Sequence, residues 1–121
     1  VANFTVPLCA TIHLSGSTIT IVTCAMAVMF LSPNMDVPSL FGMLPFIMML
    51  GVVMIAAPGA PGGAVMSALG LLTSMLGFNE GAVALMIALY LAQDSFGTAC
   101  NVTGDGIIAL WVDRFSEKAS A

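Results

Sequence analysis

Charged side chains are scarce in this chain of 121 residues, which has six acidic and two basic side chains. None of them falls within the first 35 residues. A water-soluble domain carries roughly a quarter of its residues charged, so the composition excludes that class of protein. Two basic residues cannot form a phosphate-binding surface, so nucleic acid is excluded as a partner.

Cysteine and histidine are also few. Cys9, Cys24 and Cys100 are odd in number, widely spaced and set in apolar sequence, so we interpret them as small core residues and not as zinc ligands. His13 is the only histidine and has no partner in a nucleophile arrangement, and neither HExxH nor GxSxG occurs. We therefore expect a protein that is not an enzyme.

Apolar residues dominate what is present. They make up 60% of the chain, and the mean hydropathy is +1.10. A membrane-spanning helix needs about 20 apolar residues, and three or four such stretches occur. The chain opens with Val1 and enters apolar sequence almost at once, so we interpret it as the C-terminal part of a longer protein. We therefore predict an all-α, multi-pass membrane protein that lies in the lipid bilayer.

The first two segments of the predicted fold are interrupted. Residues 1–31 are apolar except for a polar cluster at residues 13–17, which predicts a broken transmembrane helix. Residues 37–76 contain a tip at 57–63, where Pro and Gly prevent helix formation. The run after the tip is too short to cross a bilayer, so this segment is predicted to be a re-entrant helical hairpin. Its tip must be buried in protein or line a wet cavity.

The last segment is predicted to be a long C-terminal transmembrane helix over residues 79–115, followed by a tail at 116–121. Asn79 or Glu80 suits its N-terminal cap, and a kink is expected near Gly97 or Gly104. Arg114 and Lys118 near its end favour a cytoplasmic C-terminus by the positive-inside rule. The expected location is the inner (plasma) membrane of the cell.

A polar stripe runs along this last helix. Asp94, Thr98, Asn101 and Asp105 follow at intervals of four, three and four residues, so they share one helix face. Carboxylates at membrane depth usually face a cavity, an ion or a substrate. The alternative is a buried pairing with a cation on another helix. Asp105 with Asn101 offers oxygen ligands for a small cation, and Asp94 could bind an ammonium group.

The polar cluster in the first segment is the second candidate for chemistry. Hydroxyls, an imidazole and carbonyl groups freed by a helix break are groups that coordinate sodium in transporters. A single histidine is more often a satisfied core residue, but the titration of His13 near neutral pH leaves proton coupling open.

These motifs resemble the dicarboxylate/amino acid:cation symporter family, which includes the glutamate transporters. Residues 6–17, VPLCATIHLSGS, are similar to the family's seventh transmembrane helix, whose core reads PLGATINMDGT. Residues 58–63 resemble the tip of its second hairpin. Residues 94–105, DSFGTACNVTGD, are similar to the eighth helix, D-x-x-R-T-x-x-N-V-x-G-D.

The resemblance implies a homotrimer whose transport domains move across the membrane, elevator-fashion, with the hairpin as a gate. It implies that Asp94 binds the substrate amino group and that Thr98 and Asn101 bind its other polar groups. It also places one Na+ at Asp105. The other implied substrate contacts are Pro58, Gly59, Ala60 and Gly97, and the other implied ion-site residues are Asn101, Thr11, His13, Ser15 and Ala57.

Departures from the family pattern bear on substrate and ion. Gly97 stands where acidic-amino-acid transporters have an arginine. Without that hydrogen-bond donor, the negative charge of an acidic substrate's side chain would be poorly compensated. His13 and Ser15 replace the family's Asn and Asp, which implies fewer coupled Na+ ions, or H+ in place of one. We therefore expect a neutral amino acid, coupled to Na+ or H+. The alternatives are a dicarboxylate or acidic amino acid, or a structural membrane subunit that transports nothing.

Overall fold

The computed structural model describes residues 1–120, and within that part of the chain every regular element is a helix. There are five of them: α1 (Ala2–Ile12), α2 (Ser15–Leu31), α3 (Leu40–Ile55), α4 (Gly63–Leu76) and α5 (Glu80–Ser120). The prediction of an all-α fold is confirmed. The side chain of Ser120 and all of Ala121 lie outside the described part.

Helices α1 and α2 are separated by two residues, His13 and Leu14, within the predicted polar cluster. The interruption is shorter than that cluster, because residues 15–17 already form the first turn of α2. The N-cap of α2 is Leu14, whose side chain cannot accept a hydrogen bond. The amides of the first turn of α2 therefore need an acceptor from another helix.

Helices α3 and α4 are joined by the Pro- and Gly-rich segment 56–62, which we call the tip. Ser39 caps α3 by accepting a hydrogen bond from the amide of Gly42. Gly62 is the N-cap of α4 and has a φ of 75°, a backbone conformation that a side chain would strain. The sequence analysis placed the tip of the predicted hairpin at residues 57–63.

Helix α5 is a single uninterrupted element of 41 residues. Asn79 caps it as predicted, because its side-chain oxygen accepts a hydrogen bond from the amide of Ala82 at 2.8 Å. The helical backbone continues through Gly97 and Gly104, where a kink was expected. It also continues to Ser120, so the predicted tail at 116–121 is helical as far as it is described. No Gly or Pro follows Gly106 to end the helix earlier, and Lys118 suits its C-terminal end.

The core lies where α2, α3, α4 and the first half of α5 meet. Ile21, Phe46, Leu72 and Met86 are among its fully buried side chains. Cys9 and Cys24 are buried as predicted, whereas Cys100 is exposed on α5. All three are free thiols.

Large apolar side chains cover much of the outer surface. Phe4, Phe30, Phe41, Phe96 and Leu110 are each more than 70% exposed. A soluble monomer rarely leaves so much apolar surface to water, whereas lipid or further helices would cover it. The stretches Ala2–Leu31 and Glu80–Ala119 are long and apolar enough to cross a membrane.

Candidate substrate cavity and ion pair

A cavity of about 260 Å³ lies between α5, the start of α2 and the tip. Drug-sized ligands occupy pockets of about 300–1,000 Å³, so this volume suits a small metabolite. The residues that line the cavity are Ala10, Leu14, Ser17, Pro58, Gly59, Ala60, Pro61, Ala64, Tyr90, Asp94, Thr98, Asn101, Val102 and Asp105.

The polar stripe of α5 forms one wall of this cavity. Asp94, Thr98, Asn101 and Asp105 all line it, as a shared helix face requires. Asn101 and Asp105 are buried, Asp94 is half-buried, and Thr98 is exposed. The Thr98 hydroxyl donates a hydrogen bond to the carbonyl of Asp94 at 2.9 Å, so its oxygen is left to accept from a ligand.

The tip forms the opposite wall. Pro58, Gly59 and Ala60 line the cavity, and the amide of Gly62 donates a hydrogen bond to Oδ2 of Asp94 at 3.2 Å. Pro58 and Gly63 are in close contact, because a Cβ atom on Gly63 would overlap the carbonyl oxygen of Pro58. The backbone of the tip is thus tightly folded, and the tip is held to α5 by one hydrogen bond to the Asp94 carboxylate.

Asn101 supplies the missing cap of α2. Its Oδ1 accepts hydrogen bonds from the amides of Gly16, at 2.8 Å, and Ser17, at 3.4 Å. Its Nδ2 donates to Oγ of Ser17 at 3.0 Å. The carboxamide therefore caps the helix from α5 and fixes where α2 begins beside the cavity.

We expect Asn101→Leu to lower the free energy of unfolding by about 2 kcal/mol, because two buried amides would lose their acceptor. Ser17→Ala removes only the acceptor for Nδ2 and should cost less than half as much. The measurements are the unfolding midpoint in detergent and amide hydrogen exchange at residues 15–17. Exchange in Asn101→Leu as slow as in the unsubstituted protein would contradict the capping role.

Glycines let α2 approach α5 closely at this point. A Cβ on Gly16 would overlap the carbonyl oxygen of Gly97 and lie 2.6 Å from Cβ of Cys100. Gly97 does not line the cavity, and a Cβ there would lie 3.3 Å from Oγ1 of Thr20. Gly97, the position at which the family's arginine is missing, therefore lies where α2 packs against α5.

The predicted ion-site residues are brought together in part. Nδ1 of His13 lies 2.9 Å from Oδ1 of Asp105, and the carboxylate is the acceptor of this hydrogen bond when Nδ1 carries the proton. Gly104 lies against the imidazole, where a Cβ would come within 2.6 Å of Cε1. Asn101 is one helical turn from Asp105. Among the described residues, no group of three or more His, Cys, Asp or Glu side chains converges to hold a metal.

The remaining predicted ion-site residues are Ser15, Ala57 and Thr11. Ser15 is exposed at the start of α2, and Ala57 is buried at the base of the tip. Thr11 is exposed, and its hydroxyl donates to the carbonyl of Leu8 at 2.7 Å. The tip approaches α1 at Gly59, where a Cβ would lie 3.9 Å from the carbonyl oxygen of Ala10.

Two polar residues of the cavity were missed by the sequence analysis. Ser17 was identified only as part of a polar cluster, and Tyr90 was not identified as a candidate. Tyr90 is 1% exposed and lines the cavity. The available signal was its position four residues before Asp94, which places both on one face of α5.

Comparison with known proteins agrees with the family resemblance of the motifs. Residues 1–115 match the sodium:dicarboxylate symporter family. No curated protein and no solved structure matched the chain. Members of this family are transporters, and the family implies sodium-coupled symport of dicarboxylates or amino acids. The chain therefore belongs to the sodium:dicarboxylate symporter family and is part of a membrane protein.

Proposed function

We propose that this chain is the C-terminal part of the transport domain of a secondary symporter that takes up a neutral amino acid. The observation that carries the proposal is the charge of the cavity. Two carboxylates, Asp94 and Asp105, line it, and none of the described lining residues is basic. A cavity of this kind favours a ligand with an ammonium group together with a small cation.

Asp94 is the residue placed to bind the ammonium group. Its carboxylate lies in the cavity wall and accepts one hydrogen bond from the tip, at the Gly62 amide. A carboxylate has about four acceptor positions, so room remains for an ammonium group. Thr98 adds a neutral acceptor one turn along the helix. An ammonium bound here would contact α5 beside the tip and link closure of the tip to occupancy of the cavity.

Asp105 is the residue placed to bind the coupled ion. It is 5% exposed and lies at the break between α1 and α2. A sodium ion at this position would balance the second carboxylate and take further oxygen ligands from the neighbouring backbone. His13 already contacts the same carboxylate, so a proton shared by this pair is the alternative coupling ion.

The proposed topology places the parts around the bilayer. α1 and α2 form a broken transmembrane helix, α3 and α4 form a re-entrant hairpin whose tip gates the cavity, and α5 spans the membrane. The tip suits this role, because its irregular backbone lines a cavity, a setting in which non-helical backbone is tolerated at membrane depth. We propose the elevator-type motion, the homotrimer and the plasma-membrane location on the strength of the family resemblance.

A dicarboxylate or acidic amino acid is the second candidate, favoured by the family's description. Such a substrate would bring negative charge to a cavity that already holds two carboxylates. The only basic side chains of the chain, Arg114 and Lys118, lie beyond the cavity on α5. Arg114 is nine residues past Asp105, about 13 Å along the helix axis at 1.5 Å per residue. A dicarboxylate would therefore need cations from outside this chain.

The experiment is uptake by the complete symporter in proteoliposomes under an imposed sodium or proton gradient. The labelled substrates are serine, alanine, cystine, aspartate and succinate. We expect gradient-driven uptake of at least one neutral amino acid, and the effective gradient identifies the coupling ion. Uptake confined to aspartate or succinate would move the assignment to the second candidate. Uptake of none would favour a structural subunit.

A further inference from the structure

The last turns of α5 extend beyond the helices that pack around the cavity. Among the described side chains of α5, Ala109 is the last that is buried, and every one from residue 110 to residue 119 is exposed. At 1.5 Å per residue this segment, which we call the α5 end, is about 15 Å long. It does not line the cavity, and the proposed function gives it no role in binding substrate or ion.

The charged and aromatic side chains of the α5 end lie on different faces of the helix. Three pairs of side chains, the members of each pair four residues apart, define these faces: the aromatic pair Trp111 and Phe115, the basic pair Arg114 and Lys118, and the acidic pair Asp113 and Glu117. At about 100° per residue, the basic pair lies about 60° from the aromatic pair, whereas the acidic pair lies about 160° from it. The α5 end therefore has one aromatic and basic face, and the acidic side chains lie on the other side of the helix from the rings.

The basic pair has no acidic partner within residues 1–120. In that part of the chain the structure has one ion pair, which joins His13 to Asp105. Arg114 and Lys118 are exposed, and they are the only basic residues of the chain. Their charges are therefore available to an anion that approaches the aromatic and basic face.

The position of the α5 end along the helix matches the surface of a membrane. The run from residue 106 to residue 112, GIIALWV, has no charged side chain, and four charged side chains follow within the next six residues. Trp111 is 65% exposed and Phe115 is 68% exposed. Tryptophan is enriched where the hydrocarbon of a bilayer meets its headgroups, and the headgroup layer is about 5–8 Å thick on each side. With α5 spanning the membrane as proposed, residues 111–118 lie at this boundary.

We propose that the aromatic and basic face of the α5 end binds the phosphate headgroup of an anionic phospholipid. Side chains one helical turn apart are neighbours, so Arg114 and Lys118 can contact one phosphate, and their long side chains reach it from the helix surface. The rings of Trp111 and Phe115 pack against the glycerol and the upper acyl chains of the same lipid. The proposal goes beyond the proposed function and uses only its topology, in which α5 spans the membrane.

The test is photochemical cross-linking of the complete symporter with p-benzoylphenylalanine in place of Phe115. The protein is placed in nanodiscs of equal parts phosphatidylglycerol and phosphatidylcholine, and the lipid bonded to the peptide around position 115 is identified by mass spectrometry. We expect adducts of phosphatidylglycerol to exceed those of phosphatidylcholine about tenfold, because each of two basic side chains at an anionic surface contributes about fivefold at most.

The matched variants remove one pair of charges at a time. In Arg114→Gln with Lys118→Gln, we expect the ratio of the two adducts to fall to about one. In Asp113→Asn with Glu117→Gln, which neutralises equally exposed neighbours on the other side of the helix, we expect the preference for phosphatidylglycerol to remain. Size-exclusion chromatography of each variant shows whether assembly is intact, and serine uptake by the same preparation tests the proposed function separately.

Four results would overturn the proposal. Equal adducts of the two lipids in the protein with its charges intact would show that the face does not select an anion. An undiminished preference in Arg114→Gln with Lys118→Gln would show that the basic pair is not the cause. Adducts only to another segment of the symporter would show that protein covers this face. Loss of the phosphatidylglycerol adduct on addition of glycerol 3-phosphate would show that the face binds a soluble phosphate.

Discussion

Asp94→Asn is expected to lower L-serine uptake by the complete symporter about 100-fold. The substitution keeps the size of the side chain and removes the charge of one of the two carboxylates that line the cavity, the one that accepts from the tip. Loss of one partner from a desolvated charge pair costs about 3 kcal/mol, which is about a hundredfold in affinity. The measurement is initial uptake over a range of serine concentrations in proteoliposomes.

The matched control for this prediction is Asp113→Asn, which removes an exposed carboxylate on the same helix outside the cavity. We expect it to transport serine normally. Size-exclusion chromatography of both variants separates a binding role from a structural one. If Asp94→Asn assembles poorly while the assembled fraction binds serine normally, the carboxylate serves assembly and the ammonium role is contradicted.

Gly16→Ala is expected to cost about 3 kcal/mol or more of folding stability. The added methyl group would overlap the carbonyl oxygen of Gly97 and lie 2.6 Å from Cβ of Cys100. Two backbones meet here, so neither can yield as a flexible side chain would. Separation of α2 from α5 would also break the Asn101 cap and the hydrogen bonds of the cavity wall.

Gly106→Ala is the control for this substitution. Gly106 lies on α5, and a Cβ there would meet nothing within 4 Å. Its replacement should leave stability unchanged or raise it by up to about 1 kcal/mol, since alanine favours the helix. The measurement is the unfolding midpoint of each variant in detergent. Equal midpoints for Gly16→Ala and Gly106→Ala would show that α2 and α5 are not in close contact.

Much of the architecture could be predicted because apolar runs and their interruptions are local signals. The break before α2, the tip and the cap at Asn79 all follow from Pro, Gly and polar residues that disfavour or begin helices. The shared face of Asp94, Thr98, Asn101 and Asp105 follows from helical spacing alone. These features need no knowledge of what packs against them.

Features that depend on a second helix could not be predicted in the same way. The polar cluster suggested an interruption over residues 13–17, but Gly16 and Ser17 are helical because Asn101, 85 and 84 residues away along the chain, accepts from their amides. In the sequence, Gly97 was notable because it replaces the family's arginine. In the fold it contacts α2. Tyr90 is a single aromatic residue among apolar ones, and only the packed fold shows that it lines the cavity.

The most direct measurement is a cryo-electron microscopy structure of the complete symporter with sodium and L-serine. The account predicts density for the amino acid in the cavity between α5 and the tip, with its nitrogen about 3 Å from the Asp94 carboxylate. Serine bound elsewhere, or a cavity occupied only by a dicarboxylate, would contradict the assignment of Asp94 as the ammonium ligand.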